Sequence, residues 1–194
     1  MIKNKEDLKN YINQDAKACR RNTIQPSFFG DYVWKFQIYL RKSEYYNNCV
    51  KGIKKILLFP IILFNKYKYK KIGMTCGFSI PLNVFGPGLS IAHPGTIIVN
   101  KNSKIGKNCR IQTGVCLGAT NGSEVAPILG DNIFISEGAK IIGAIKIAND
   151  VAIGANAVVV KDIEEEGTTW GGIPAKKISN NNSHSNLAPN LFEK

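Results

Sequence analysis

His93 is the residue best suited to acid–base chemistry in this 194-residue chain. It is one of only two histidines, and the other, His184, lies in a polar stretch late in the sequence. An imidazole that titrates near neutral pH can remove a proton from a hydroxyl group, as general-base catalysis requires. The Pro94-Gly95 pair that follows predicts a turn holding His93 at an outward-facing corner. A lone histidine is more often structural, so both interpretations stay open on these residues alone.

Cys116 is a second candidate catalyst, acting through an acyl-thiol intermediate. Its neighbours in the sequence supply no obvious general base, which favours an inert thiol. The five cysteines are scattered, odd in number and without a CxxC pair, so we predict free thiols in a reducing compartment. A zinc enzyme would need three imidazoles per metal ion, and the predicted folded body offers His93 alone. We therefore expect no metal site.

The elements that must position His93 follow a six-residue rule. Aliphatic residues recur at every sixth position, with one in-phase gap at 119–128: Val99, Ile105, Ile111, Leu117, Leu129, Ile135, Ile141, Ile147, Ile153 and Val159. Neither an α-helix nor an alternating strand has this period. A hexapeptide repeat does, because three short strands complete one triangular coil of about 18 residues. The spacing predicts that Val99, Leu117, Ile135 and Ile153 form one stack, with residues 119–128 ejected as a loop.

Residues 1–75 form a region of a different kind. They carry 16 Lys/Arg against 5 Asp/Glu, whereas residues 76–194 carry 10 against 9. Apolar residues at helical spacing, with breaks at Pro26 and Pro60, predict a basic α-helical region. Its apolar run at 56–64 is far shorter than the roughly 20 residues that span a bilayer. Lysines flank this run: Lys51, Lys54, Lys55, Lys66, Lys68, Lys70 and Lys71. That pattern is typical of peripheral contact with an anionic membrane, although lysines kept for solubility are an equally good explanation.

The ends of the sequence add three expectations. Residues 1–9 are polar and no apolar signal segment follows, so we predict a cytoplasmic protein with its basic region at the inner face of the membrane. No known nucleic-acid motif is present, and we expect no nucleic-acid partner. Residues 179–194 are rich in Asn and Ser, which predicts a disordered tail after a folded body at 76–178.

Several segments of this body carry a family resemblance. They are residues 91–95 (IAHPG), 115–118 (VCLG), 126–127 (AP), 136–143 (SEGAKIIG), 153–159 (IGANAVV) and 172–176 (GIPAK). In order and spacing, residues 77–178 resemble the catalytic domain of the serine acetyltransferase family of hexapeptide-repeat acyltransferases. The resemblance implies a mainly β protein with an α-helical N-terminal region, built on a left-handed parallel β-helix. It also implies a homotrimer with acetyl-CoA in the groove between neighbouring subunits.

The resemblance further implies roles for individual residues. His93 matches the catalytic base. The pantetheine arm of acetyl-CoA is expected along the backbone at small residues, and the CoA phosphates near two lysines: Gly118, Gly138, Ala139, Ala155, Lys176 and Lys177. The acceptor is expected to contact residues near His93 and in the ejected loop: Asn83, Phe85 and Glu124. A backbone N–H would stabilise the oxyanion.

Three departures from the family pattern bear on the acceptor. The serine enzymes place an aspartate near Phe78 or Ser79, an acid at the position of Ala92 and a histidine at that of Ala126. Because an amino acid brings two charges that must be paired, their loss predicts a sugar hydroxyl of a surface polysaccharide, such as capsule or lipopolysaccharide, as acceptor. The alternatives are a serine O-acetyltransferase of cysteine biosynthesis and a non-catalytic, basic, membrane-associated solenoid.

Overall fold

The computed structural model describes residues 1–120 and 122–192 of the chain. Four helices come first: α1 (Lys5–Ala18), α2 (Tyr32–Cys49), α3 (Gly52–Leu57) and α4 (Phe59–Cys76). Within the described residues, none of the helices is both long and apolar enough to cross a membrane. The four helices occupy the basic region that the sequence predicts to be helical.

Local signals explain where these helices begin and end. The Asn4 side chain caps α1 by accepting a hydrogen bond from the Asp7 backbone N–H at 2.8 Å. Pro60 lies in the first turn of α4, where the missing N–H of proline costs nothing, so the expected break falls at Leu58. Gly77 ends α4 in the left-handed conformation, with φ of 78°.

Fourteen short strands follow α4. They are β1 (Phe78–Ser79), β2 (Ser90–Ile91), β3 (Ile97–Val99), β4 (Lys104–Ile105), β5 (Arg110–Ile111), β6 (Cys116–Gly118), β7 (Ile128–Leu129), β8 (Phe134–Ile135), β9 (Lys140–Ile142), β10 (Lys146–Ile147), β11 (Ala152–Ile153), β12 (Val158–Val159), β13 (Thr169–Gly171) and β14 (Lys176–Ser179). From β1 to β13, successive strands belong to different sheets, and each strand pairs in parallel with its equivalent one coil away. This arrangement is the predicted left-handed parallel β-helix.

Three parallel sheets form the faces of the β-helix. Sheet 1 contains β1, β3, β6, β9 and β12; sheet 2 contains β4, β7 and β10; sheet 3 contains β2, β5, β8, β11 and β13, with β14 added antiparallel. All ten aliphatic residues of the six-residue repeat are buried in the interior between the sheets. The prediction of an inward-facing hexad core is confirmed.

The expected stack of core residues is wrong at one step. Val99 pairs with Leu117, but Leu117 pairs with Ile141 and Ile141 with Val159. The chain between β6 and β7 leaves the coil for one extra hexad, so the next coil returns 24 residues later instead of 18. Ile135 therefore lies on Ile111 in sheet 3. Asn121, within this loop, lies outside the described residues.

A buried ion cluster joins the helices to the first coil. The Arg41 guanidinium on α2 contacts Asp15 of α1 at 2.7 Å and Glu44 at 3.0 Å, and the Arg41 and Asp15 side chains are fully buried. Arg41 also donates to the carbonyls of Phe85 and Gly86, at 2.9 and 2.7 Å. Burial works to lower the pKa of Arg41, but the carboxylates of Asp15 and Glu44 raise it above its ordinary value.

The last described residues pack against the body instead of forming the expected disordered tail. The Ser183 N–H donates to the Asp150 carbonyl at 3.0 Å, and His184 Nε2 lies 2.7 Å from Asp150 Oδ1. Arg20, in the turn that follows α1, donates to the Leu187 carbonyl at 3.1 Å. Leu187 and Ala188 are buried as a result, and two short 3-10 turns form at His184–Asn186 and Pro189–Leu191. These apolar anchors offset the polar composition that suggested disorder.

Replacing Asp15→Asn is expected to destabilise the protein by about 3–5 kcal/mol, because it leaves the buried Arg41 charge with Glu44 as its single carboxylate. Urea denaturation followed by circular dichroism measures the change. Lys107→Ala is the matched control, since it removes an exposed pair with Asp131 at 3.6 Å that contributes less than about 1 kcal/mol. Equal losses in the two variants would contradict the role given to the buried cluster.

Candidate active site

His93 lies in the bend between β2 and β3, with its side chain exposed. The bend is held from both sides by main-chain hydrogen bonds. The Ala92 N–H donates to the Ile111 carbonyl at 3.2 Å, and the Gly95 N–H donates to the Cys76 carbonyl at 2.8 Å. The second bond ties the bend to the last residue of α4. An exposed imidazole on an anchored backbone is what a general base needs.

Two glycines allow this bend to pack closely. Gly77 has φ of 78°, and a Cβ added there would lie 3.1 Å from the Gly95 carbonyl carbon. Gly95 has φ of 144°, and a Cβ there would lie 2.9 Å from the Thr113 side chain. Larger residues at either position would push the bend outward. The Pro-Gly pair in the sequence therefore predicts the turn at His93 correctly.

Equivalent bends of the next coils stack directly on the His93 bend. The Gly114 N–H donates to the Thr96 carbonyl at 2.7 Å, and the Gly138 N–H donates to the Thr113 carbonyl at 2.8 Å. We call this row of bends, at residues 92–96, 112–115, 136–139, 154–157 and 172–175, the His93 column. It runs along one edge of the β-helix, from the first coil to the last.

Thr113 and Glu137 are polar residues of the His93 column that the sequence analysis did not identify. Thr113 Oγ1 donates to Glu137 Oε1 at 3.2 Å. The Glu137 N–H and the Ser136 hydroxyl both donate to Gln112 Oε1, at 3.0 and 3.1 Å. The sequence could have identified both residues by their position in the repeat, because each directly precedes the glycine of a bend. The column therefore carries an ordered carboxylate two coils away from the His93 bend.

The four small residues predicted to contact acetyl-CoA divide into two groups. Gly138 and Ala155 lie on the His93 column, half-buried and exposed respectively, and Gly118 is half-buried at the end of β6. Ala139 differs, because its methyl group is fully buried in the core and its N–H donates to the Ser136 carbonyl at 3.3 Å. Its side chain is therefore not available to a ligand outside the solenoid.

Lys176 and Lys177 lie on β14, beyond the last coil. Both line a cleft of about 410 Å³ together with Trp170 and Pro174. Lys177 Nζ also contacts Glu165 Oε1 at 2.5 Å, so its charge is partly balanced. Four coil steps of about 4.8 Å separate this end of the column from His93, roughly 19 Å in all.

Two of the three predicted acceptor residues make contacts elsewhere within the chain. Phe85 is buried in the core and bridges to Ile105, so its ring is not at the surface. Asn83 has φ of 65° at another corner, where its side chain and that of Asn48 exchange hydrogen bonds of 2.7 and 3.1 Å. Glu124 is exposed in the ejected loop, and its carbonyl accepts from Asn102 at 2.6 Å. Asn83 and Phe85 have structural roles within this chain.

Of the positions that departed from the family pattern, only Ser79 is exposed. Phe78 is buried, with its ring 5.0 Å from that of Phe36, and Ala126 is buried as well. Ala92 is half-buried. Buried side chains at positions 78 and 126 do not show which charges an acceptor at the surface would meet.

Neither the cysteines nor a metal site offers a second catalytic centre among the described residues. Burial raises the pKa of the Cys109 thiol to about 12 and that of Cys19 to about 11, so neither is a nucleophile near neutral pH. Cys116 is half-buried in sheet 1, between Ile98 and Lys140 of the neighbouring strands. Residues 1–120 and 122–192 contain no group of three or more His, Cys, Asp or Glu residues suited to a metal ion.

Comparison with curated proteins finds serine acetyltransferases. One from Staphylococcus xylosus is 30% identical over 200 residues, which cover 97% of this chain and 86% of that protein. One from Staphylococcus epidermidis is 38% identical over 118 residues, or 56% of this chain and 54% of that protein. The chain thus spans about half the length of several of the curated relatives it matches. No family model matches.

Solved structures agree with the sequence relatives. A soybean serine acetyltransferase complexed with serine is 25% identical, with a TM-score of 0.66, 89% of this chain covered and 70% of that chain. A serine acetyltransferase from Brucella abortus has a TM-score of 0.66 at 20% identity, over 92% of this chain and 72% of that one. At 20% identity, the likeness to the Brucella abortus enzyme shows a shared fold only.

These relatives overturn the expectation of a polysaccharide acceptor. The relatives and solved structures described above are serine acetyltransferases, which was the alternative hypothesis. The prediction took Phe78 or Ser79, Ala92 and Ala126 as acceptor contacts, but the Phe78 and Ala126 side chains are buried and only Ser79 is exposed. With 30% identity over nearly its whole length and the same β-helix as the solved enzymes, the chain belongs to the serine acetyltransferase family.

Proposed function

We propose that this protein transfers an acetyl group from acetyl-CoA to the hydroxyl of L-serine, with His93 as general base. The observation that carries the proposal is the exposed imidazole on an anchored bend, at the foot of a column of small and polar residues. Family membership supplies the acceptor, because the matching relatives are serine acetyltransferases and one solved relative is complexed with serine.

The transfer is a single displacement at the thioester. His93 takes the proton of the serine hydroxyl as its oxygen attacks the acetyl carbonyl carbon. A C–O bond forms and the C–S bond breaks, so that the products are O-acetylserine and the CoA thiol, which recovers the proton. Negative charge develops on the carbonyl oxygen, and a backbone N–H of the column is the group to stabilise it.

The His93 column suits an extended cofactor arm. Gly138 and Ala155 present little side chain along it, which lets a pantetheine arm approach the main chain. Gly118 offers a similar small surface on sheet 1. The exposed Lys176, beyond the last coil, is placed to meet CoA phosphates, with Lys177 beside it. The solved relatives bound to CoA support acetyl-CoA as the donor.

A homotrimer completes this proposal. Several apolar side chains point outward from the β-helix, among them Ile98 on sheet 1, Ile128 on sheet 2 and Val160 after β12, each about half exposed. Such side chains on a solenoid are covered when a second copy packs beside it. The neighbouring subunit would also bring its own groups to the open edge at His93.

We propose that the protein acts in the cytoplasm. All five cysteines are free, which fits the reducing cytoplasm. Contact between the basic N-terminal region and an anionic membrane is proposed as well. That contact is independent of acetyl transfer, since it concerns different residues.

Replacing His93→Ala is expected to lower kcat by roughly 10²–10⁴, because the serine hydroxyl loses its base. The dissociation constant of acetyl-CoA, measured by calorimetry, is expected to stay within about twofold, since binding rests on the column and not on the imidazole. His184→Ala is the matched control: it removes the other histidine and is expected to keep full turnover. Near-normal kcat in the His93 variant would assign the base elsewhere.

L-serine is expected to support release of the CoA thiol with kcat/KM of about 10⁴ M⁻¹s⁻¹ or above. L-alanine is the control acceptor, because it keeps the ammonium and carboxylate but lacks the hydroxyl, and it is expected to give no product. Mass spectrometry of the product identifies O-acetylserine. A purified protein that binds acetyl-CoA yet leaves L-serine unchanged would refute the proposed acceptor.

Light scattering after size exclusion is expected to give three times the chain mass of 21.4 kDa. Replacing Ile98→Glu is expected to shift this mass toward one chain, because a charge buried against a neighbour destabilises the contact. The control is Lys101→Glu, which adds negative charge at an exposed polar position. A monomer with full activity would exclude a site shared between subunits.

A further inference from the structure

Helices α3 and α4 carry an apolar surface that nothing in the chain covers among the described residues. Six of its side chains are each more than half exposed: Ile53, Ile56, Leu57, Leu63, Tyr67 and Met74. We call residues 51–74 on this side the α3–α4 surface. Monomeric proteins rarely expose contiguous apolar patches of this kind unless the patch binds something.

The packing of α4 fixes the direction in which this surface points. Asn65 is buried, and its side-chain amide donates to Ser43 Oγ at 2.7 Å and to the Tyr39 carbonyl at 3.1 Å. Ile72 and Cys76 are buried on the same side of the helix. These contacts hold one side of α4 on α2 and the solenoid. The other side cannot rotate inward to hide its apolar residues.

The outward side of α4 has an apolar ridge with lysines along it. Leu63, Tyr67 and Met74 are spaced by four and seven residues, which places them on one side of a helix. Lys66 and Lys70 line the same shallow groove. On the flank, Lys68 Nζ lies 5.4 Å from the Phe64 ring centroid. Lysine stems that follow apolar surface while the ammonium stays in water are typical of side chains at a membrane interface.

The charge of the surface selects its partner. Residues 51–76 contain seven lysines and no Asp or Glu. A second copy packed face to face would bring two such sets of positive charge together, which opposes self-association. A nucleic acid would pair with the lysines but leave the apolar ridge in water. An anionic bilayer satisfies both, because its phosphates meet the ammonium groups and its interface accepts the apolar side chains.

We infer that the α3–α4 surface binds the interface of anionic phospholipid bilayers, with its apolar residues inserted among the headgroups and its lysines paired with lipid phosphates. This inference deepens the proposed membrane contact by naming the surface, and it is independent of acetyl transfer. The helices lie on the membrane and do not cross it. The C-terminal end of α4 adjoins the His93 bend, through the hydrogen bond from Gly95 to Cys76. An 18-residue helix is about 27 Å long, so a bilayer bound along α4 would lie within about 27 Å of that bend.

The test is co-sedimentation of the full chain with vesicles, without acetyl-CoA. Vesicles of phosphatidylcholine with one-third phosphatidylglycerol are compared with pure phosphatidylcholine, at low and high salt. Wild-type protein is expected to bind the anionic vesicles at least about tenfold more strongly, and to lose most of this preference at high salt because screening weakens the lysine contacts.

Two variants locate the contact. Lys66→Glu/Lys70→Glu and Leu63→Gln/Met74→Gln are each expected to weaken binding about tenfold or more, because one reverses the charge and the other removes the inserted side chains. Lys5→Glu/Lys9→Glu on α1 is the matched control, with the same charge change at exposed positions outside the surface, and it is expected to retain most of the binding. Circular dichroism melting checks that all variants fold.

The outcomes separate this inference from the broader proposal. If wild-type protein binds neither vesicle, the membrane contact fails as a whole. If wild-type protein binds but the α3–α4 variants bind equally well, or the α1 control loses as much, the contact is real and this surface is not its location. If the apolar variant instead changes the oligomeric state by light scattering, the surface is an interface between copies and the inference is overturned.

Discussion

Stacking of aliphatic side chains from coil to coil is the constraint on which the β-helix depends. Each strand has only two to four residues, too few to be stable as part of an isolated pair. Its inward side chain is buried because the coil below and the coil above supply equivalent side chains, as Leu117 does between Val99 and Ile141. No single coil can bury its own apolar residues, so the solenoid is stable only as a stack with closed ends.

The two ends are closed in different ways. At the first coil, the buried Arg41 donates to the Phe85 and Gly86 carbonyls, and Asp15 accepts from the Gly88 and Leu89 N–H groups at 2.8 Å. The ion cluster thus satisfies main-chain groups that would otherwise form an open sheet edge. At the last coil, β14 turns back antiparallel on β13 and carries Lys176 and Lys177.

The candidate site follows from this architecture. The bends of a β-helix stack as regularly as its strands, so one exposed histidine in the first bend is followed by further bends in a straight row. A cofactor laid along such a row meets backbone and small side chains. Helix α4 holds the first bend in place, because the Gly95 N–H donates a hydrogen bond to the Cys76 carbonyl at the end of the helix. Among the described residues, none covers the outward side of α3 and α4, where lysines and apolar side chains are exposed.

The sequence by itself determined the period of the repeat, the buried aliphatic positions, the basic helical region and the histidine at a Pro-Gly bend. Each of these depends on local spacing or residue chemistry, which the order of residues contains. Tertiary structure decided the rest. The extra hexad at the ejected loop shifted the stack so that Ile141, not Ile135, lies on Leu117. Phe85 and Ala139 proved to be core residues, and Phe78 and Ala126 proved to be buried, because one step along a coil exchanges the inside for the outside. Thr113 and Glu137 came beside each other only through stacking of coils 24 residues apart, a contact that no local pattern contains.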